Sequence, residues 1–158
     1  MLVAGLDIGS RTIALVEWDG ARIARAEVVD TGTDPVGNAR SLLAGRTFDI
    51  GRPYVRLVAT GYGRHLATER DLADEVISEI KAYGLGAYHL YPDVGTVLDI
   101  GGQDSKVIRV GPGGQLVRFE MNDRCAAGTG RFLENMAHAL GMRVEEFGPH
   151  ALRAKGPA

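Results

Sequence analysis

Short apolar runs broken by glycine and acidic turns open the chain. They predict strands at about 2–8, 11–18 and 22–30, the third running from Ile23 through Ala24 and Ala26 to Val28 and Val29. Asp19-Gly20, between the second and third runs, is a strong hairpin signal. Asp34-Pro35 is a helix start, and a helix is predicted over about 35–44. Val55 to Thr60 is a short apolar run bounded by Pro53 and Gly61, the pattern of a buried parallel strand. Over about 66–83 the spacing of Leu66, Leu72, Val76, Ile77 and Ile80 is nearly helical, with Glu69, Arg70, Asp74, Glu79 and Lys81 turned to water. A turn at Leu90-Tyr91-Pro92-Asp93 starts a second series, with strands at about 95–100, 105–110 and 115–121 and a helix at about 128–140. A last short helix is predicted at about 143–154. The order is β-β-β-α-β-α followed by β-β-β-α, so the second series is expected to stop one strand and one helix short of the first. A three-stranded sheet with one helix buries little apolar surface and leaves an edge to be covered. The remaining elements are therefore expected beyond Ala158 or from a partner.

Composition narrows the class without naming a function. The chain has 158 residues, enough for one ordinary domain or two very small ones. An apolar content of 45% and a charged content of 24% are ordinary for a globular protein and argue against disorder. A net charge of −2 and a pI near 6.1 give no electrostatic case for nucleic acid or an anionic membrane. The N-terminal run is short, lacks a basic segment and meets Asp7 almost at once, as a buried strand does and a signal peptide does not. No apolar run approaches bilayer length. Cys125 is the single cysteine, which excludes an internal disulfide and fits a reducing, cytoplasmic setting.

The chemistry lies in a repeat. Asp7-Ile8-Gly9-Ser10 returns as Asp99-Ile100-Gly101-Gly102 after an offset of 92 residues, each copy with an apolar run before it and a hydroxyl and β-rich run after it. Pro112-Gly113-Gly114 then follows the second copy as Asp19-Gly20 follows the first. Glycine lets backbone N–H groups approach phosphate oxygens, and an adjacent hydroxyl adds a donor. Asp7 and Asp99 repel phosphate directly, so they fit such a turn only with a divalent cation, Mg²⁺, between carboxylate and phosphate. Two such turns suggest two halves facing one ligand, expected at 1–92 and 93–158.

Other candidates are weaker. Cys125 lies just ahead of the helix expected near Gly128-Thr129-Gly130, where the positive end of the dipole favours a thiolate or a negatively charged cluster. An inert buried cysteine is the alternative. Gly128, Thr129 and Gly130 either bring N–H groups to ribose or phosphate or cap their helix. Thr60-Gly61-Tyr62-Gly63-Arg64 ends a predicted parallel strand, where α/β proteins place ligand contacts, or is a tight turn into the next helix. His65, His89, His138 and His150 show no metal spacing with the cysteine, and Phe132, Leu133, Met136 and Leu140 have helix-core spacing.

Strand-Asp-Ile-Gly hairpins in two such halves resemble the actin, Hsp70 and sugar-kinase ATPase superfamily, an α/β, actin-like (ribonuclease H-like) fold. More narrowly, Thr60 to Arg64, Asp99 to Lys106 and Met121 to Phe132 resemble the BadF/BadG/BcrA/BcrD ATPases, the activators of 2-hydroxyacyl-CoA dehydratases and the ATPase components of benzoyl-CoA reductases. The resemblance runs from Leu2 to about Gly148, the first part of the family's length. It implies a homodimer holding one [4Fe-4S] cluster between subunits, with ATP hydrolysis driving a low-potential electron onto a dehydratase or reductase component. A donor such as ferredoxin or flavodoxin goes with that scheme. Asp7, Gly9, Ser10, Arg11 and Thr12 match the first phosphate loop; Asp99, Gly101, Gly102, Gln103 and Asp104 match the second, and Gly128, Thr129 and Gly130 are further nucleotide-binding candidates. Asp7, Asp99 and Asp104 are the catalytic candidates, and Cys125 matches one of two cluster cysteines per subunit. The family's second cysteine and adenosine segment normally fall after this sequence, so a complete cluster site and more than half a nucleotide site are not expected of the chain alone. A small sugar or acid kinase of the same superfamily, and a shortened or split partner-binding protein, are the competing expectations.

Overall fold

The computed structural model describes residues 2–44, 54–122, 125 and 127–156 and divides the chain into two compact units, Met1–Gly86 and Ala87–Ala158. In the first unit the sheet has five strands: β1 (Val3–Ile8), β2 (Thr12–Trp18), β3 (Ile23–Asp30), β4 (Arg56–Thr60) and β5 (Glu75–Val76). Their order is β3-β2-β1-β4-β5, with β1, β2 and β3 antiparallel and β4 and β5 parallel to β1. The β2–β3 hairpin closes as the sequence predicts: the Asp19 carboxylate accepts from the Ala21 and Arg22 amides at 2.8 and 2.9 Å, and Gly20 takes φ +105°.

Alternation along the strands separates two faces. Leu6, Ile8, Ile13, Leu15, Leu57 and Ala59 point to one side, where they form the core with Ala39 and Leu42 of α1 (Pro35–Ala44) and Ala67 of α2 (Arg64–Glu69). Asp34 caps α1 by accepting from the Gly37 amide at 2.9 Å, with Pro35 at the first helical position. Glu17 shares this apolar face and is fully buried; the Tyr54 hydroxyl donates to its carboxylate at 2.8 Å and Arg25 lies 3.3 Å away. On the other side, Gly5, Asp7, Ala14, Val16, Val58 and Thr60 line a cavity of about 240 Å³ with Ile77 and Ala82. The small side chains at positions 5 and 14 leave that space open.

The helix expected over 66–83 does not form as one element. It divides into α2, the short strand β5, and α3 (Glu79–Leu90). Asp71 adopts φ +55° just past α2, the Leu72 amide donates to the Ala67 carbonyl at 2.7 Å and the Asp71 amide to the Thr68 carbonyl at 3.1 Å. This is a Schellman closure with aspartate in the left-handed position that glycine usually takes. Leu72 and Ala73 then enter the core. Asp74 fastens the next segment to β4, its carboxylate accepting from the Leu57 amide at 2.7 Å and its amide donating to the Leu57 carbonyl at 2.8 Å. Parallel pairing to β4 thus outweighs the helical spacing of Leu72, Val76, Ile77 and Ile80.

The second unit holds an antiparallel sheet of β6 (Thr96–Ile100), β7 (Ser105–Val110) and β8 (Leu116–Asn122), in that order. A 3₁₀ turn over Pro112–Gly114 joins β7 to β8, with Gly113 and Gly114 at φ +71° and +76°. Then come α4 (Gly130–Ala139), a 3₁₀ turn over Val144–Glu146 and α5 (Phe147–Ala151), shorter than the helix expected over 143–154. The expected core face of α4 is open. Phe132, Leu133 and Met136 are each 38% exposed and Leu140 is 67% exposed, while Ala137 is buried. Leu98 and Ile100 of β6 are exposed as well. Three strands give too little surface to cover both a sheet face and a helix stripe. The first unit therefore carries two strands, β4 and β5, without counterpart among the described residues of the second.

Candidate functional site

Both Asp-Ile-Gly segments fold into the same turn. In the first, the Gly9 amide donates to the Thr12 carbonyl at 2.9 Å; in the second, the Gly101 amide donates to the Asp104 carbonyl at 2.9 Å. The two bonds keep the offset of the sequence repeat. A Cβ on Gly9 would lie 2.9 Å from the Thr12 carbonyl oxygen, and one on Gly101 would lie 2.8 Å from Asp104 Oδ1. Backbone crowding thus requires glycine at position 9, while at position 101 the nearest atom belongs to the movable Asp104 carboxylate and the Asp104 carbonyl oxygen follows at 3.2 Å.

In the first unit Asp7 is the penultimate residue of β1 and pairs in register with Thr60 at the end of β4. Carboxylate and hydroxyl leave the C-terminal ends of adjacent parallel strands, where open α/β sheets bind ligands. Thr60 Oγ1 is buried and has no hydrogen-bond partner among the described residues. The following Gly61 and Gly63 let the chain fold back onto the turn. Gly61 has φ +84°, a Cβ there would collide with the Asp7 carboxylate and lie 2.7 Å from the Ile8 carbonyl oxygen, and the Gly63 amide donates to that carbonyl at 2.8 Å. Thr60 to Gly63 is therefore both a tight turn into α2 and a wall of the Asp7 site. Thr31, which the sequence pattern does not single out, supports the turn from beneath: its hydroxyl donates to the Gly9 carbonyl at 2.8 Å and its amide to the Arg11 carbonyl at 2.9 Å. Ser10, Arg11 and Thr12 are exposed at the rim.

The second turn is tied to a buried cation. Lys106 Nζ lies 3.3 Å from Asp99 Oδ2 and 2.6 Å from Asp104 Oδ1. Gly102 and Gln103 are exposed at the tip. The start of α4 supports this turn: the Gly130 and Arg131 amides donate to the Gly101 and Gly102 carbonyls at 2.9 and 3.0 Å. Thr129 is buried and caps the helix, accepting from the Phe132 amide at 3.4 Å, and the Gly128 carbonyl accepts from the Ser105 hydroxyl at 2.6 Å. So the helix start gives its first amides to the loop backbone.

Cys125 is exposed, with the Ala127 amide 3.5 Å from Sγ and the Asn122 side-chain amide 3.1 Å from its carbonyl oxygen. Among the described residues no group of three or more His, Cys, Asp or Glu side chains is arranged to hold a metal ion, and the four histidines are exposed. No helix among the described residues is long and apolar enough to cross a membrane.

The family model described as BadF/BadG/BcrA/BcrD ATPase family matches residues 4–157. The chain belongs to this family. It is 43% identical over 151 residues to the activator of lactoyl-CoA dehydratase of Anaerotignum propionicum, covering 92% of the chain and 56% of that protein. Two solved structures match along its whole length. Component A of the Acidaminococcus fermentans (R)-2-hydroxyglutaryl-CoA dehydratase is 36% identical with a TM-score of 0.87, 61% of that chain being covered. The activator of the 2-hydroxyisocaproyl-CoA dehydratase from Clostridium difficile, with bound ADPNP, is 37% identical with a TM-score of 0.83, 59% of that chain being covered. The chain thus spans a little over half the length of the curated relatives it matches, and its fold is the actin-like α/β ATPase fold.

Proposed function

We propose that this chain carries the phosphate-handling turns of an ATP-driven activator of a 2-hydroxyacyl-CoA dehydratase or benzoyl-CoA reductase-type enzyme. The observation that carries the reading is the repeated turn, Gly9 to Thr12 and Gly101 to Asp104, each closed by the same backbone bond beside a strand-end aspartate, in a member of an ATPase family. ATP is the substrate. Its phosphates would be met by backbone N–H groups and the Ser10 and Thr12 hydroxyls, with Arg11 at the rim. The buried Thr60 hydroxyl next to Asp7, which has no hydrogen-bond partner among the described residues, fits a hydrated cation at this place. Asp7 in the first turn, and Asp99 and Asp104 in the second, are the carboxylates that would meet Mg²⁺ through water, the ion offsetting phosphate charge. Asp7, Asp99 and Asp104 are also the groups that can orient an attacking water, and hydrolysis by positioning and charge needs no covalent intermediate on the protein.

A four-iron cluster needs four thiolates, and Cys125 is the single cysteine. The residues present do not fit a complete [4Fe-4S] site, even in a homodimer. Cys125 is assigned as one ligand only, on the strength of its exposure and its place ahead of α4. The same reading gives the protein a homodimeric state, an acyl-CoA dehydratase or reductase component as electron acceptor, a ferredoxin or flavodoxin as donor, and a cytoplasmic setting.

The test is an anaerobic assay of the protein expressed from its own reading frame, wild type and Cys125→Ser. The proposal expects Mg·ATP binding in both and ATP-dependent reduction of the acceptor in the wild type alone. Phosphorylation of a sugar or acid that survives Cys125→Ser would replace the activator reading by a kinase one.

A further inference from the structure

We propose that Lys106 is a built-in counter-cation of the second turn, which keeps Asp99 and Asp104 from binding a divalent ion until nucleotide arrives. The proposal rests on the reading that this turn meets a Mg·nucleotide. Lysine is scarce in this chain: positions 81, 106 and 155 hold the three lysines, against fifteen arginines. Lys81 and Lys155 are exposed, whereas Lys106 is 2% exposed. It sits on the inward row of β7 with Ile108 and Val110, where an apolar side chain would complete the pattern. A charge there is costly unless it is paired.

The pairing is specific. Asp99 of β6 faces Lys106 directly in the strand register, so the contact with Asp99 is a cross-strand pair. Asp104, two residues before it in sequence, accepts from the same ammonium at 2.6 Å. Lysine suits this place because its ammonium is a compact point charge with three donors, able to serve two carboxylates at once. Two carboxylates and one ammonium leave a single negative charge in the turn. A divalent ion brought up alone would meet one uncompensated carboxylate equivalent and the repulsion of a cation a few ångströms away. The phosphates of a nucleotide would add the missing negative charge, so ion and nucleotide are expected to bind together. Lys106 is thus a positioning residue, acting through Asp99 and Asp104.

The experiment is Mn²⁺ titration of the full chain followed by electron paramagnetic resonance, with and without ADPNP, on the wild type, Lys106→Met, Lys106→Arg and Asp104→Asn. Without nucleotide, Lys106→Met should bind Mn²⁺ at least tenfold more tightly than the wild type, and Lys106→Arg should stay at the wild-type level. Lys106→Met binding no tighter than the wild type, with an unchanged near-ultraviolet circular dichroism spectrum, overturns the proposal. Should Lys106→Met fail to fold, Asp104→Asn decides. It should leave nucleotide-free Mn²⁺ binding weak and lower the nucleotide-linked affinity at least tenfold, and an unchanged nucleotide-linked affinity overturns the proposal. Nucleotide-linked Mn²⁺ binding missing from the wild type would instead overturn the nucleotide reading itself, a pattern distinct from either arm.

Discussion

Gly61→Ala isolates the way the first turn is built. Gly61 has φ +84°, where an L side chain costs about 1–2 kcal/mol. The new methyl would also collide with the Asp7 carboxylate and sit 2.7 Å from the Ile8 carbonyl oxygen. Forcing an extra carbon into a packed site adds about 1–3 kcal/mol, so the expected loss is roughly 2–5 kcal/mol. Gly20→Ala is the control within the same unit: φ is +105° but nothing lies within 4 Å of its Cβ, so only the backbone cost of about 1–2 kcal/mol applies. Urea unfolding followed by the fluorescence of Trp18, the one tryptophan and a residue of β2, reads both variants on one probe. Placing Gly61→Ala in an Asp7→Ala background should recover about 0.5–3 kcal/mol, because one of the two collisions is gone. Equal losses from Gly61→Ala and Gly20→Ala, to within about 0.5 kcal/mol, would refute the packing of the Thr60 to Gly63 segment against Asp7.

Thr31→Val removes the hydroxyl that donates to the Gly9 carbonyl; it should cost about 1–2 kcal/mol in thermal unfolding and weaken Mg·ADPNP binding by calorimetry, with Thr31→Ser close to wild type. Tyr54→Phe takes a donor from the fully buried Glu17 carboxylate and should destabilise the first unit by about 1–3 kcal/mol in the same urea experiment. The Arg22 and Ala21 amides, in that order, hold the Asp19 carboxyl below its ordinary value near 3.8. A lowered carboxyl pKa gives stability that is present above the ordinary value and lost as pH falls through the folded one. Asp19→Asn should therefore lower stability at neutral pH and flatten the stability profile below pH ~4, as chemical denaturation across that range would show.

The strands and both Asp-Ile-Gly turns are legible in the chain because their signals are local: alternation of apolar residues, glycine turns, and a motif repeated at a fixed offset. The 66–83 segment is not, since helical spacing of apolar residues cannot reveal that Asp71 would close a helix or that Asp74 would bind the Leu57 backbone across the sheet. Long-range pairing with β4 decides that region. The same limit hides Thr31, which reaches the Gly9 carbonyl only after β3 has paired with β2. Thr60 and Lys106 stand inside motifs visible in the sequence, but their roles come from strand register: Thr60 opposite Asp7, Lys106 opposite Asp99. For Phe132, Leu133, Met136 and Leu140 the core spacing of the sequence is not matched by burial, because the amount of sheet available to cover a helix face is not a local property.

Amide hydrogen exchange with and without Mg²⁺ and ADPNP, on the wild type, Asp7→Asn and Asp99→Asn, tests the nucleotide site most directly. Exchange should slow at residues 7–12, 60–63 and 99–104 in the wild type, with the protection at each turn reduced by substitution of its own aspartate. Exchange at both turns that is the same with and without saturating Mg·ADPNP, or protection indifferent to both substitutions, would contradict it.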